Sequence, residues 1–357
     1  MSVERGIGKV PERYRHMRME DLVRETERVR ARLGDQVAIL GHHYQRDEII
    51  RFADHTGDSL ELSRKAASVE APYIVFCGVY FMAETAAILC SPEQRVIQPV
   101  IEALCPMAEM ASRKQVSAAW DALSTVWDEP IIPITYQNSN ADVKAFVGER
   151  GGAVCTSSNA RRILDWAFSR GGRVLFTPDE HLGTNTALEM GLSESEVGVW
   201  NPLAPASPET FSECRMVVWK GFCSVHTGFT LEDVARARAE HPGARIVVHP
   251  ECPRPIVLAS DASGSTSQII DVVAKAPAGS TIVVGTECHM VDRLARQYAD
   301  KEIIPLARRE CGSMGLTRLE HLLFALEGLA SGKAHNIVAV DPDTAAGARL
   351  ALERMLQ

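Results

Sequence analysis

Short apolar runs rich in β-branched residues recur along the chain, and segments with helical spacing of their apolar positions lie between them. Residues 82–90 and 141–150 are examples of such helical segments. Apolar strands that alternate with helices are typical of βαβ units around parallel sheets, so the pattern predicts an α/β fold. The predicted strands cover residues 37–40, 73–77, 95–100, 131–136, 153–158, 173–178, 215–219, 245–250, 281–285 and 302–306, with a weaker candidate at 255–260.

The predicted strands fall into three sets, and a cysteine closely follows the last strand of each set. These cysteines are Cys105, Cys223 and Cys311, and their spacing suits modules of roughly 100 residues. Ligands of α/β sheets bind outside the carboxyl ends of the strands, so three converging ends would bring three thiolates together. Periodicity leaves an alternative open, a single long doubly wound sheet in which the cysteines lie in loops by chance.

The composition is that of an ordinary soluble protein, and it excludes several classes of function. The 357 residues are 46% apolar and 24% charged, with a net charge of −8. An acidic chain without clustered Lys and Arg argues against a nucleic-acid or anionic-membrane surface. No apolar run approaches the roughly 20 residues of a membrane span, and the charged N-terminus lacks an apolar signal core. We therefore expect a cytoplasmic protein.

Nine cysteines occur at scattered spacings and, without a secretion signal, do not indicate a disulfide framework. The stretch GFCSVH (221–226) places Cys223 three residues before His226. A zinc site usually has a close second cysteine, and a catalytic cysteine usually lies far from its histidine in sequence. Three cysteines, one per module, suggest instead a [4Fe–4S] cluster with three thiolate ligands and one open iron.

Each predicted module contains a helix that starts with hydroxyl or amide side chains. The three starts lie at residues 57–59, 156–159 and 264–267. Such residues are good N-caps, and capping alone would explain each of them. The free backbone N–H groups of a helix start also bind anions, so three corresponding starts favour a shared ligand such as a phosphate or a dicarboxylate.

Polar side chains also follow the first predicted strand of each module. The first strand leads into GHHYQRDE (41–48), the second module offers Tyr136 and Asn138, and the third offers His249 and Glu251. A carboxylate and an imidazole two residues apart can carry out acid–base chemistry, or they can form an ordinary hydrogen-bonded turn.

A dozen short motifs occur in one order between about residues 37 and 325. They are GHHYQ, GDSLELSR, FCGVYFMAETAAIL, ALCPMAEM, TYQNSNADVKA, CTSSNA, PDEHLGTN, WKGFCSVH, HPECP, GSTSQII, VGTE and CGSMGLTRLEHL. Together they resemble the bacterial quinolinate synthase family, the A protein of de novo NAD biosynthesis. No single motif is decisive, but a dozen in register are highly specific.

The resemblance implies three similar three-layer α/β domains, each with a small parallel sheet, around a pseudo-threefold axis with the active site at their junction. On this basis we divide the chain into domains at residues 1–105, 106–224 and 225–317. We expect the C-terminal helices within residues 318–357 to pack with the first domain. The resemblance also implies an oxygen-sensitive [4Fe–4S] cluster held by the three cysteines named above.

The implied reaction condenses iminoaspartate with dihydroxyacetone phosphate to quinolinate, with loss of phosphate and two waters, as a transferase or lyase. L-aspartate oxidase is then a candidate for functional coupling. The family's substrate contacts carry over to His42, Ser59, Tyr136, Asn138, Ser157, His226, His249, Glu251 and Thr266. The candidate catalytic residues, for proton transfer, are Tyr44, Tyr136, His249 and Glu251.

The chain departs from the family pattern at several positions near these motifs, namely Tyr80, Val100, Leu104, Glu109 and Gln137. Leu104 stands directly before Cys105 where the family has glycine, a residue that often allows a positive φ or a close backbone approach. The departures motivate one rival interpretation, a paralogue with the same fold and cluster that acts on a related substrate. Other rivals are a non-catalytic cluster-bearing sensor and a structural zinc protein.

Overall fold

The computed structural model describes residues 10–357, which fold into alternating strands and helices. The strands are β1 (Val37–His42), β2 (His55–Gly57), β3 (Tyr73–Cys77), β4 (Arg95–Ile97), β5 (Ile131–Tyr136), β6 (Ala153–Cys155), β7 (Arg173–Thr177), β8 (Val197–Trp200), β9 (Met216–Trp219), β10 (Arg245–Val248), β11 (Ala262–Ser263), β12 (Thr281–Gly285) and β13 (Glu302–Pro305). The α-helices are α1 (Glu12–Arg15), α2 (Met19–Leu33), α3 (Asp47–Ile50), α4 (Ser59–Ala66), α5 (Tyr80–Leu89), α6 (Arg113–Leu123), α7 (Ala141–Glu149), α8 (Ala160–Ser169), α9 (Glu180–Glu189), α10 (Leu231–Glu240), α11 (Arg254–Ala259), α12 (Thr266–Lys275), α13 (Cys288–Gln297), α14 (Leu319–Ala330) and α15 (Pro342–Leu356). Within residues 10–357, none of the helices has both the length and the apolar character needed to cross a membrane.

The strands form three parallel sheets that share one order. The orders are β2-β1-β3-β4, β6-β5-β7-β9-β8 and β11-β10-β12-β13, and all of these pairings are parallel. In each sheet the first strand of the set lies between the second and the third, and the second sheet adds β8 beyond β9. The predicted α/β fold is confirmed, and the alternative of one long sheet is wrong.

The central strands are apolar because both faces of each sheet are covered. All six residues of β1 are buried, and β1 pairs with β3 in register from Val37 opposite Tyr73 to Gly41 opposite Cys77. β12, in the equivalent place to β3, is buried from its second residue onward. A strand buried on both faces has a continuous apolar run instead of alternation, which is the pattern seen in the sequence.

Contacts between residues group the chain into two compact units. Among the described residues, the first unit comprises residues 10–105 together with Cys311–Val340, and it contains the first sheet. Helices α2 and α14 pack against each other there and share a core with β1 and β3. Buried members of this core are Leu22, Val29, Ile39, Val75, Leu322 and Leu326.

The second unit comprises Pro106–Glu310 together with Asp341–Gln357, and it contains the other two sheets. Its last helix, α15, packs along α7, where Gly148 and Gly347 bring the two backbones together. A Cβ atom at Gly148 would lie 1.9 Å from the carbonyl oxygen of Gly347, so a larger residue does not fit. Of the two C-terminal helices, α14 thus belongs to the first unit and α15 to the second.

The remaining differences from the predicted elements are short. Residues 255–260 were predicted as a weak strand, but residues 255–259 belong to α11 and Ser260 is its C-cap; Pro253 precedes the helix and Pro255 occupies its first turn. Proline suits that turn because its missing N–H has no partner there in any case. Strands β2, β8 and β11 have three, four and two residues, which is too short for a periodic pattern to show.

Candidate active site

The carboxyl ends of β1 and β10 carry the same histidine turn. At the end of β1, His42 Nδ1 accepts a hydrogen bond from the backbone N–H of Tyr44 at 3.1 Å. After β10, His249 Nδ1 accepts one from the backbone N–H of Glu251 at 3.3 Å. Because β1 and β10 hold the same place in their sheets, Tyr44 and Glu251 are structurally equivalent, each at the ligand-binding edge of its sheet.

Glu251 contacts two stacked imidazoles in the interior of the second unit. Its Oε2 is 2.8 Å from His226 Nδ1 and 3.1 Å from His249 Nδ1. The two rings stack with their centroids 4.3 Å apart and their planes 14° apart. His226 Nε2 is 3.1 Å from Thr286 Oγ1, so this hydroxyl is the hydrogen-bond partner of that ring nitrogen. All four side chains are buried.

This environment keeps Glu251 ionised. Burial alone would raise the pKa of the Glu251 carboxyl, but the His226 and His249 imidazoles outweigh burial and hold that pKa below its ordinary value. Its second oxygen, Oε1, is buried and has no hydrogen-bond donor among residues 10–357. One face of a buried carboxylate is therefore open to a proton, a ligand or a cation.

Asp179 is a second buried carboxyl near Glu251. It caps α9 by accepting a hydrogen bond from the backbone N–H of Leu182, while its Oδ2 has no donor in the described part of the chain. Burial, and then the negative charge of Glu251, raise the pKa of Asp179 well above its ordinary value. The two carboxyls favour opposite protonation states, a pattern found where one carboxyl acts as an acid and its neighbour as a base.

The turn that carries Glu251 is tied to the neighbouring sheet by Asn185 of α9. Asn185 Nδ2 donates to the carbonyl oxygens of Pro250 at 2.8 Å and Cys252 at 2.9 Å. These bonds hold the residues on both sides of Glu251. Asn185 therefore positions the carboxylate from a different segment of the chain.

Cys223 lies beside the same carboxylate. Cys223, His226 and Glu251 offer a sulfur, a ring nitrogen and a carboxylate oxygen that all lie within 4.8 Å of one another. We name these three residues the split trio, because Glu251 comes from a different strand end than the other two. The arrangement brings a soft metal ligand next to a proton acceptor.

A second group of the same residue types, Glu287, Cys288 and His289, is consecutive in sequence, and we name it the contiguous trio. Glu287 caps α13, and its Oε2 accepts from the backbone N–H groups of His289 at 2.9 Å and Met290 at 3.4 Å. Its Oε1 is 2.7 Å from His289 Nδ1. Burial, and then Glu287, raise the pKa of the Cys288 thiol to about 11. The donors and acceptors of this trio are occupied by the helix start.

The nine cysteines divide into two classes by burial. Cys105, Cys223 and Cys311 are half-buried, whereas the other six are buried. Burial raises the pKa of the Cys77 thiol to about 12, which disfavours the thiolate that a metal requires. The three predicted cluster ligands are thus the three cysteines whose sulfur environment is least enclosed.

The hydroxyl-rich helix starts have different capping residues. Asp58 caps α4, which places Ser59 in the first turn, and Ser265 caps α12, which places Thr266 there. Ser158, before α8, donates to Ser265 Oγ at 2.9 Å. That bond links the starts of α8 and α12 within the second unit, and with them the segments that carry Ser157 and Thr266.

The end of β5, which carries Tyr136 and Asn138, rests on a buried lysine. Lys144 Nζ donates to the carbonyl oxygen of Ser139 at 2.5 Å, and Ser139 Oγ donates to the carbonyl oxygen of Tyr136 at 2.9 Å. Tyr136 is buried and Asn138 is half-buried. The turn is therefore fixed from below by a fully enclosed cation.

The departures from the family pattern do not strain the backbone. Leu104 is 43% exposed, and among residues 10–357 the one non-glycine residue with positive φ is Asn336, so Leu104 has an ordinary conformation. Val100 is fully buried, and the Glu109 carboxylate accepts a hydrogen bond from Asn140 Nδ2 at 2.9 Å. The structure thus accommodates a side chain where the family has glycine.

The predicted site residues are distributed over both units. Those in the second unit are Cys223, Tyr136, Asn138, Ser157, His226, His249, Glu251 and Thr266, and those in the first unit are Cys105, Cys311, His42, Tyr44 and Ser59. Sequence reasoning missed Asp179, Asn185 and Thr286 as site residues. The sequence signal for Asp179 was the Pro-Asp pair that precedes a helix in PDEHLGTN. The signal for Thr286 was its place after a strand in VGTE.

Comparison with known proteins covers nearly the whole chain. Residues 25–357 match the family described as Quinolinate synthetase A protein. A Quinolinate synthase of Corynebacterium glutamicum is 49% identical over 354 residues, which cover 97% of this chain and 90% of that relative. One of Anoxybacillus flavithermus is 47% identical over 352 residues, covering 97% of this chain and 96% of that relative. One of Streptomyces coelicolor is 49% identical over 346 residues, covering 94% and 88% respectively.

Proposed function

The chain belongs to the quinolinate synthetase A protein family, and from this premise we propose that it condenses iminoaspartate with dihydroxyacetone phosphate to form quinolinate. The atoms of the two substrates equal those of quinolinate, one phosphate and two waters. The reaction therefore needs no oxidant or reductant. It does need protons to be removed from carbon or nitrogen and delivered to departing oxygen atoms.

One observation carries the proposal: an ionised, buried carboxylate flanked by two imidazoles lies beside Cys223. Proton transfer by a positioned side chain is worth about 10²–10⁴-fold in rate when the group has the correct protonation state. Glu251 is held in the accepting state by His226 and His249. A proton acceptor at this place suits the removal of substrate protons next to a metal ligand.

The imidazoles connect this acceptor to neighbouring polar groups. His226 contacts Thr286 Oγ1 through Nε2 and lies with Nδ1 2.8 Å from Glu251 Oε2. His249 Nδ1 accepts a hydrogen bond from the backbone N–H of Glu251, which fixes the ring beside the carboxylate. Tyr136 and Tyr44, both at strand ends, are the proposed donors to departing hydroxyl groups.

The residues present fit a cluster with three thiolate ligands. Cys105, Cys223 and Cys311 are half-buried, while the other six are buried, and burial raises the thiol pKa of Cys77, Cys155, Cys214, Cys252 and Cys288. We assign these three as ligands of a [4Fe–4S] cluster. When bound, such a cluster supplies one open iron as a Lewis acid for a carboxylate or hydroxyl oxygen of the substrate.

The substrate carboxylates and phosphate require local donors in an acidic protein. Helix starts supply them through free backbone N–H groups and hydroxyl side chains. In the second unit the bond between Ser158 and Ser265 links two such starts, which supports Ser157 and Thr266 as contacts for one dicarboxylate. His42, Ser59, Tyr136 and Asn138 are the further proposed contacts.

The proposal is tested by an anaerobic assay of the iron-reconstituted full chain. Iminoaspartate is supplied by L-aspartate oxidase, the proposed coupled enzyme, dihydroxyacetone phosphate is added, and the product is identified by mass. We expect quinolinate and phosphate in equal amounts. Cys223→Ser should abolish both cluster and product, and Cys77→Ser should retain both.

Two results would contradict the proposal. A fully reconstituted protein that forms no quinolinate would favour the related-substrate interpretation, which restoration of the family residues with Val100→Asp and Leu104→Gly would then test. Normal product formation by Cys311→Ser with full iron content would refute the assignment of the cluster ligands.

A further inference from the structure

We infer that, when the cluster is absent, the split trio is a site for a single divalent cation of the zinc type. The site consists of the Cys223 sulfur, an imidazole nitrogen of His226 and a carboxylate oxygen of Glu251. It is available whenever Cys223 is not engaged by iron–sulfur. The inference goes beyond the proposed function, because the trio needs neither Cys105 nor Cys311.

The geometry suits tetrahedral zinc. Zinc bonds of about 2.3 Å to sulfur and about 2.0–2.2 Å to nitrogen or oxygen place neighbouring ligand atoms roughly 3–4 Å apart. The three ligand atoms of the split trio already lie within 4.8 Å of one another, and His226 Nδ1 is 2.8 Å from Glu251 Oε2. A thiolate, an imidazole and a carboxylate together are a donor set that zinc accepts and that magnesium and calcium do not.

An independent observation points to a ligand at this place. Glu251 is 3% exposed, and its Oε1 has no hydrogen-bond donor anywhere in residues 10–357. Burying a carboxylate oxygen without a hydrogen-bond donor destabilises the folded protein. A cation that coordinates this oxygen would offset that cost, which favours binding of the cation. This carboxylate group lies beside a thiol and an imidazole, so it is a prepared ligand.

The surroundings of the trio also match those of a metal site. Ligating histidines usually have a hydrogen-bond partner on the ring nitrogen that does not bind the metal, and this partner orients the ring. Thr286 Oγ1, buried and 3.1 Å from His226 Nε2, takes that role when Nδ1 is the ligand. The thiol of Cys223 loses its proton to the buffer on binding, as metal-bound cysteines do.

The split trio could not be predicted from the spacing of cysteines in the sequence. Cys223 and His226 form one end of a zinc-like motif, but the third ligand arrives from the turn after β10 instead of from a second nearby cysteine. The sequence criterion for zinc counts close Cys and His pairs. A site completed by a distant glutamate escapes that criterion.

The test uses full-length apoprotein prepared anaerobically with an iron chelator, titrated with Co²⁺ and then with Zn²⁺. We expect one Co²⁺ per chain, with a thiolate-to-cobalt charge-transfer band and the visible bands of tetrahedral cobalt, both removed by Zn²⁺. Cys223→Ser should remove the charge-transfer band. Glu251→Gln should weaken zinc at least tenfold, and Thr286→Val should weaken it by about 10–100-fold, as for other outer partners of metal ligands.

Controls separate this site from the cluster and from the contiguous trio. Cys105→Ser, Cys311→Ser and Cys288→Ser should each bind Co²⁺ with the same spectrum and affinity as the wild type. Binding that survives Cys223→Ser or is lost in Cys105→Ser would overturn the inference, as would a titration without a stoichiometric end point. Glu251→Gln keeps the test decisive if Cys223→Ser fails to fold. Since the readout is a spectrum, failure of quinolinate formation would leave the inference standing.

Discussion

The second unit contains the same three residue types twice, and the two groups have opposite relations to the fold. In the contiguous trio, the Glu287 carboxylate accepts hydrogen bonds from two backbone N–H groups at the start of α13. It also contacts the ring of His289. In the split trio, Glu251 contacts two imidazoles, and its Oε1 has no donor in the described residues. Residue type and proximity are therefore insufficient to identify a reactive group.

The difference lies in where the hydrogen bonds go. A helix start has free N–H groups that a carboxylate satisfies, and a carboxylate used in this way is stabilised in its resting place. Arg308 Nη2 also donates to Cys288 Sγ at 3.7 Å, which completes a set of structural contacts. A buried carboxylate with an unsatisfied oxygen lowers the stability of the fold. Such groups are found mainly at functional sites, where the free oxygen can bind a ligand or accept a proton.

The largest expected effect comes from exchanging the two glutamates for glutamine. Glu251→Gln removes the proposed proton acceptor, so kcat for quinolinate should fall by about 10²–10⁴-fold. Glu287→Gln keeps an acceptor for the α13 start, so kcat per folded molecule should remain close to wild type. The measurement is the anaerobic rate of quinolinate formation, normalised to the iron content of each variant.

This comparison fails if the two variants lose activity equally. Equal loss with equal loss of melting temperature would assign both glutamates to structure. Loss in Glu287→Gln alone would reverse the distinction between the trios. Iron content must be measured in each case, because Glu251 lies beside the assigned cluster ligand Cys223.

The sequence was sufficient for those parts of the fold that depend on long apolar runs. Strands such as β1, β3 and β12 are buried on both faces and so appear as unbroken apolar segments. The strand β8, with four residues and partial exposure, has no such signal. The place of α15 on α7 depends on contact between Gly148 and Gly347, which no pattern within either helix indicates.

The site was predictable in its single residues but not in its combinations. His249, Glu251 and His226 follow strands and are polar, which is a signal of a ligand-binding edge. Their meeting at one carboxylate depends on the packing of two sheets inside the second unit, which is long-range information. Asp179 was missed because a Pro-Asp pair before a helix is explained fully by capping until its burial is known.

A smaller effect is expected at the start of α12, where two neighbouring hydroxyls have different roles. Ser265 supplies the helix cap, in a reciprocal pair with Gln268, whereas Thr266 is the first residue of the helix. Thr266→Ala should raise the dissociation constant of a dicarboxylate by an amount equivalent to about 1.5–3 kcal/mol, the value of a hydrogen bond to a charged group. Ser265→Ala should instead lower the free energy of unfolding by ~1 kcal/mol.

Calorimetric titration with a dicarboxylate and chemical denaturation of both variants would separate these outcomes. Unchanged affinity in Thr266→Ala, with a loss of stability like that of Ser265→Ala, would assign both hydroxyls to the helix start. Ser157→Ala, on the other linked helix start, is expected to behave like Thr266→Ala.

The last effect is on the pH dependence of stability, and it concerns Asp179, the carboxyl that neighbours the split trio. Burial, and then Glu251, raise its folded-state pKa above the unfolded value of about 3.9. The bound proton therefore contributes stability that is fully present below about pH 3.9 and is lost as the pH rises through the folded pKa. Asp179→Asn keeps an acceptor for the N–H of Leu182 and removes the titration.

Asp179→Asn should consequently gain stability relative to the wild type as the pH rises above about 4, by about 1.4 kcal/mol for each unit of the raised pKa that is traversed. Glu251 acts in the opposite direction, because its folded pKa is lowered and its contribution is lost as the pH falls. Denaturant titrations of wild type and variant at a series of pH values give the difference directly. Asp341→Asn, at the exposed cap of α15, is the matched control and should show no such gain. A constant difference for Asp179→Asn at every pH would mean that folding does not change the pKa of Asp179, and would place this carboxyl with the contiguous trio and not with the split one.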